Sequence, residues 1–104
     1  MIRSVLRLRA AAGRSGALEE FFAAHGILDR ARSFPGCRDA QLVRSVDGAP
    51  VTYLVIADWD EAADYDRWVH DPWRAAVSRQ LVALLNTEQD EPVVGSVYEF
   101  VPPR

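Results

Sequence analysis

Residues 51–60 read Val51-Thr52-Tyr53-Leu54-Val55-Ile56-Ala57-Asp58-Trp59-Asp60. The run is rich in β-branched and aromatic residues, with the turn signal Asp47-Gly48 before it and acids after it. That pattern predicts a strand over Val51–Trp59, entered through a hairpin. Successive side chains of a strand point to opposite faces. Val51, Tyr53, Val55, Ala57 and Trp59 therefore share one face, and Thr52, Leu54 and Ile56 share the other. Both faces are apolar. A sheet with helices on one side only has no reason to be apolar on the other unless something covers it. The simplest cover is a second copy packed face to face, so a homodimer is expected.

Working outward, Ile2, Ser4, Leu6 and Leu8 alternate with Arg3, Val5, Arg7 and Arg9, which predicts a first strand over Ile2–Arg9. Ala10–Gly16 reads as a small-residue loop with Ser15 as a helix N-cap. Ala17–Arg32 reads as one helix, because Leu18, Phe21, Phe22, His25 and Leu28 fall on one face. Phe34-Pro35-Gly36 ends it, and Cys37–Val46 is the second strand. After Trp59, Asp60 is expected to cap a helix from Glu61 to about His70. Asp71-Pro72 sets a new cap and a proline at the first helical position, restarting the helix from Trp73 to Leu85. Asn86–Glu91 is a polar loop and Pro92–Val101 the last strand. The order β-α-β-β-α-β, with a broken second helix, predicts an α+β ferredoxin-like fold with a four-stranded antiparallel sheet.

At 104 residues the chain is expected to form a single domain over residues 1–104. Composition is ordinary for a globular protein, with 49% apolar and 26% charged residues. A net charge of −3 argues against a nucleic-acid partner. No apolar run approaches the roughly 20 residues of a membrane span. All 12 basic residues are arginine, which excludes lysine-nucleophile and Schiff-base chemistry. The single cysteine, Cys37, excludes an internal disulfide and a cysteine-based zinc site. It reads as a small buried hydrophobe in a reduced, cytoplasmic setting.

All three tryptophans lie in Trp59–Trp73. Tyr65 and Trp68 are three apart on one helix face, so together they wall a cavity or fill a core. Trp59 is a strand-end plug, or a donor whose indole N–H takes a substrate oxygen. Trp73 packs the second half-helix. His25 shares the apolar stripe with Phe22, facing the sheet, as a hydrogen-bonded core imidazole or as a base near neutral pH. His70 closes a helix, where a cation suits the dipole. Arg79 sits off the stripe marked by Val77 and Leu81, as a solvated side chain or as a stabiliser of a phenolate. Asp58, Asp60, Glu61, Asp64 and Asp66 read as caps and a solvated face, and no metal site is expected.

Phe34-Pro35-Gly36, the strand end Asp58-Trp59-Asp60, and Tyr65-Asp66-Arg67-Trp68 followed by Asp71-Pro72 together resemble the antibiotic biosynthesis monooxygenase domain family of dimeric α/β-barrel proteins. The resemblance covers almost the whole chain. It implies a ferredoxin-like dimer with a ligand cavity between each sheet and its helices. Trp68 matches the helical tryptophan of the family's haem-degrading branch. That branch's histidine falls on Val77 or Ser78, and its first-strand asparagine is absent, with Ser4 and Leu6 in that region. The cofactor-free polyketide oxygenase branch is similar at its strand-end tryptophan (Trp59), its tyrosine six residues on (Tyr65) and its helical arginine (Arg79). The asparagine four residues before that tryptophan is Val55 here.

The resemblance therefore implies a cofactor-independent monooxygenase, with O₂ converting an anthrone, a naphthol or a small quinol to a quinone. Trp59, Arg79 and His25 are the candidate catalytic residues, and Tyr65, Trp68, Val55 and Phe22 the candidate substrate wall. No cofactor or metal is expected, and the partners are a small aromatic substrate, O₂ and a second copy of the chain. Val55 in place of asparagine leaves two alternatives open: a non-catalytic dimeric binder of an aromatic metabolite, or a cyclase or isomerase using the same cavity.

Overall fold

The computed structural model describes residues 1–47, 51–85 and 95–103. Four strands, β1 (Ile2–Arg9), β2 (Cys37–Arg44), β3 (Thr52–Trp59) and β4 (Ser96–Glu99), form one antiparallel sheet in the order β2-β3-β1-β4. Four helices complete it: α1 (Ser15–His25), α2 (Ile27–Arg32), α3 (Ala62–Val69) and α4 (Pro72–Leu81), the last running on into a 3₁₀ turn at Val82–Leu84. This is the expected ferredoxin-like α+β arrangement. Among the described residues no helix is long and apolar enough to cross a membrane.

The alternation in β1 and β3 sets the layers. Leu8, Tyr53, Ala57 and Trp59 are buried toward the helices. The register pairs Arg3 with Asp58, Val5 with Ile56 and Arg7 with Leu54 on the opposite face. There Val5, Leu54 and Ile56 are only partly covered, and Val43 and Tyr98 are exposed. Two core clusters fill the helix side. One gathers Leu8, Leu18, Phe22, Tyr53 and Leu81. The other gathers Ala31, Ala40, Ala57, Trp59, Tyr65 and Trp68.

Several boundaries differ from expectation. The helix expected over Ala17–Arg32 is two helices, because Gly26 stands at φ 59°, ψ 36°, a left-handed conformation that stops α1. Arg30 N–H then bonds Gly26 O at 2.9 Å to begin α2. Ser15 is the first residue of α1 and not its cap, a position held by Arg14 without a side-chain bond. Glu61, not Asp60, is the N-cap of α3, while Asp60 pairs with Arg38. Asp71 and Pro72 behave as expected, the Asp71 carboxylate accepting the Arg74 N–H at 3.1 Å. The hairpin tip after Asp47, the loop Asn86–Glu91 and the start of the expected last strand lie outside the described residues.

The motif Phe34-Pro35-Gly36 has a specific physical basis. Gly36 is at φ 88° and a Cβ there would stand 2.2 Å from Asp64 Cγ. The glycine thus lets the buried Asp64 carboxylate reach the Glu61 N–H at 3.1 Å and the Arg67 guanidinium, fixing the start of α3.

Candidate functional site

A cavity lies between the sheet and the helices, next to the second core cluster. Its floor is Ser4 and Leu6 of β1 with Val55 and Ala57 of β3, side chains that share a face by strand alternation. Its roof is Ile27, Leu28 and Ala31 of α2, Tyr65 and Trp68 of α3, and Arg74 of α4. The volume is about 40 Å³. Pockets that hold drug-sized ligands measure on the order of 300 Å³ or more. The cavity as it stands admits water-sized occupants, and a ring system must displace part of the roof.

Tyr65 and Trp68 reach this cavity together, as their spacing on one helix face predicts, and Val55 joins them from the sheet. The Tyr65 hydroxyl accepts the Gly95 N–H at 2.9 Å. The Trp68 ring is packed against Phe34, Trp59 and Trp73 at centroid distances of 5.3, 6.5 and 6.3 Å. Trp73 carries the Arg30 guanidinium over its face at 4.5 Å, so it joins α4 to α2 beside the roof.

Trp59 stands behind the wall. It is fully buried, and its indole N–H donates to Ser4 Oγ at 3.0 Å. The donor therefore already has a partner inside the protein, and Trp59 touches the cavity through Ser4. Ser4 itself is buried and directs its hydroxyl at Ala57 O, 3.4 Å away.

The structure does not bring the remaining expected residues to the cavity. Phe22 is buried in the other core cluster, with Leu18 and Tyr53. His25 was expected to face the sheet, but it is exposed, with Nδ1 3.0 Å from Phe21 O and its ring 4.0 Å from that of Phe21. The reason is the Gly26 break: α1 ends at His25, and α2 takes a new direction that presents Ile27, Leu28 and Ala31 instead. Arg79 is exposed on α4.

The arginine that does line the cavity is Arg74, which the reading of the sequence passed over. The signal was present: Arg74, Val77, Ser78 and Leu81 follow the i, i+3, i+4, i+7 spacing of one helix face, and Val77 and Leu81 are buried. Burial pushes the Arg74 guanidinium below its usual pKa, while the nearby Tyr65 phenol favours its charge. It also sits in the first turn of α4, the end of a helix that disfavours cations. Ser4 was legible in the same way, as a polar residue on the core-facing side of β1 between Ile2 and Leu6.

Elsewhere the titratable groups serve packing. Tyr53 donates to Glu19 Oε2 at 2.5 Å, and Arg44 meets the same oxygen at 2.8 Å. The Tyr53 hydroxyl holds the Glu19 carboxyl below the ordinary glutamate pKa, with Arg44 acting in the same direction. Burial raises the pKa of the Cys37 thiol. Among the described residues no three His, Cys, Asp or Glu side chains converge as a metal site.

Residues 1–79 match the family model described as antibiotic biosynthesis monooxygenase. No curated protein matches the chain by sequence. Solved structures share its fold. A candidate antibiotic biosynthesis monooxygenase from Deinococcus radiodurans superposes with a TM-score of 0.79 at 18% identity, over 100% of this chain and 96% of that one. The cofactor-independent oxygenase SnoaB from Streptomyces nogalater gives 0.69 at 19% identity, over 99% and 93%. The haem-degrader MhuD from Mycobacterium tuberculosis, solved with two haems in its active site, gives 0.68 at 22% identity, over 100% and 99%.

Proposed function

Because the chain belongs to the antibiotic biosynthesis monooxygenase family, we propose that it is a cofactor-independent oxygenase acting on an electron-rich aromatic, an anthrone, a naphthol or a small quinol. The observation that carries this reading is the composition of the cavity wall. Tyr65, Trp68, Val55 and Leu6 offer flat, apolar surface, and polarity is confined to Ser4, Tyr65 and Arg74. Such a box holds a flat ring against apolar surface and presents hydrogen-bond donors to an oxygen that becomes negative, which is what this chemistry asks of a protein.

For an anthrone the steps balance as follows. The ring methylene loses a proton to water and the resulting enolate passes one electron to O₂. The radical pair closes to a carbon-bound peroxide, which takes up a proton. Loss of water from that hydroperoxide leaves the carbonyl of the quinone, so one oxygen atom enters the product and the other leaves as water. Arg74 and Tyr65 hold the developing oxyanion, and Trp68 faces the ring. Trp59 acts at one remove, by holding Ser4. The exposed His25 and Arg79 take no part in this reading.

Val55 supports a second reading. It puts hydrocarbon on the cavity floor where the resemblance implies an asparagine, which suits a binder or a cyclase that needs no oxygen contact there. O₂ consumption decides between the two. Purified protein is incubated with emodin anthrone and uptake followed with and without added flavin or metal. Uptake above the autoxidation rate is expected without either addition, and its absence removes the oxygenase reading for this substrate class.

We also take the functional unit to be a cytoplasmic homodimer. Val5, Leu54 and Ile56, with Val43 and Tyr98 beside them, form the apolar sheet face that a second copy would cover. Light scattering at micromolar concentration tests this, and a monomer would contradict it.

A further inference from the structure

We propose that Gly95 is a positioning residue for the cavity: its N–H holds the Tyr65 hydroxyl so that the phenolic proton is offered to an oxygen of the bound ring. The inference deepens the reading above and rests on the cavity being the substrate site. The Gly95 N–H donates to Tyr65 Oη at 2.9 Å. Gly95 stands immediately before β4, whose Ser96 pairs with Val5 of β1. The pairing of these two strands therefore delivers a backbone donor to a side chain of α3 that lines the cavity.

The close approach explains the residue type. Gly13, Gly26 and Gly36 stand at positive φ and Gly95 does not, so backbone conformation places no demand for glycine there. Space does. A Cβ at residue 95 would stand 2.8 Å from Tyr65 Oη and 2.9 Å from Val5 O. Any side chain would push the hydroxyl off the N–H or β4 away from β1. The bond also sets what the hydroxyl can do, because a phenol accepts through its oxygen and has one proton to give. Tyr65 uses the oxygen on Gly95, so its proton remains to be donated. Accepting one hydrogen bond polarises a hydroxyl and strengthens the bond it donates. The chain from Gly95 N–H through Tyr65 thus favours a ring that presents an acceptor oxygen, a carbonyl or a phenolate, over a bare hydrocarbon.

The test follows the Gly95 amide proton by NMR in the whole protein. Saturating emodin, a hydroxyanthraquinone with carbonyl and phenol oxygens, should move that signal downfield, because a hydroxyl that donates to the ligand accepts more strongly from Gly95. Naphthalene, which has no oxygen, should not move it downfield, and Tyr65→Phe should abolish the emodin shift. In O₂ uptake with emodin anthrone, Gly95→Ala should lower kcat by about ten- to a hundredfold with little change in KM. Gly95→Ala combined with Tyr65→Phe should be no slower than Tyr65→Phe alone. The inference is overturned if emodin fails to bind, leaves the Gly95 signal in place, or moves it no differently from naphthalene. A purely structural role predicts the same fold loss of kcat from Gly95→Ala with and without Tyr65→Phe, and that result also overturns it. The two ligands on the unaltered protein decide even if a variant fails to fold. Lack of O₂ uptake with the amide shift intact removes the oxygenase alone, and uptake with no amide shift removes the role of Gly95 alone.

Discussion

Replacing Gly36 by alanine should cost this protein about 2–3 kcal/mol, and the structure shows where that comes from. At φ 88° an L-residue meets its own carbonyl, a penalty of about 1–2 kcal/mol. The added methyl would also stand 2.2 Å from Asp64 Cγ and 2.3 Å from Oδ2, less than any real contact allows. The Asp64 Cβ stands only 2.7 Å away as well, so Asp64 must shift as a whole, giving up the Glu61 N–H, a capping bond worth roughly 1 kcal/mol. Its pair with Arg67 is lost too, but that guanidinium is 59% exposed and adds little. For a chain of this size the sum corresponds to a fall of roughly 10–20 °C in Tm. Circular dichroism melts of the unaltered protein, Gly36→Ala, Asp64→Ala and the double variant form a complete cycle. Because Asp64→Ala removes the bond and the two nearest atoms, leaving only the residue-64 Cβ at 2.7 Å, the double variant should lose less than the sum of the two single losses. Additive losses would refute the reasoning, since they would mean that the methyl and the carboxylate never compete for the same space. Tyr65 follows Asp64 directly, so Gly36→Ala should also loosen the cavity roof.

Ser4→Ala should destabilise by about 1–3 kcal/mol, because it leaves the fully buried Trp59 N–H without an acceptor; a melt within error of the unaltered protein would show that the bond contributes nothing. Glu19 is predicted to stabilise the fold only above the acid range. Its pKa in the folded protein is lowered, first by the Tyr53 hydroxyl and then by Arg44, so its contribution is complete above the ordinary glutamate pKa and disappears as pH falls through the folded value. The Tm gap between the unaltered protein and Glu19→Gln should be widest near neutral pH and close on acidification, and a gap constant from pH 7 to pH 3 would contradict the assignment.

Where chemistry and location coincide along the chain, the sequence was a sufficient guide. The apolar alternation of Val51–Trp59 and of Ile2–Arg9 places both strands, since a period of two has one interpretation once a face is buried. Asp71-Pro72 marks a helix start because the carboxylate and the missing N–H each answer a local need. Gly26 was harder. A glycine inside a helical pattern either continues the helix or ends it, and here it takes the left-handed turn.

The sequence by itself determined the order of elements, the faces of the sheet, the aromatic pair Tyr65 and Trp68, and the family. All of these follow from local periodicity and from short motifs whose geometry is local. Only the tertiary structure decided which polar groups meet across the cavity. The turn at Gly26 moved His25 out to solvent and brought Ile27, Leu28 and Ala31 in. Packing gave the Trp59 indole to Ser4 and not to a ligand. Of two arginines five residues apart on α4, it set Arg74 against the cavity and left Arg79 in water. Five residues on a helix are about 140° of rotation, so the choice between them depends on which face meets the sheet, a relation between distant segments.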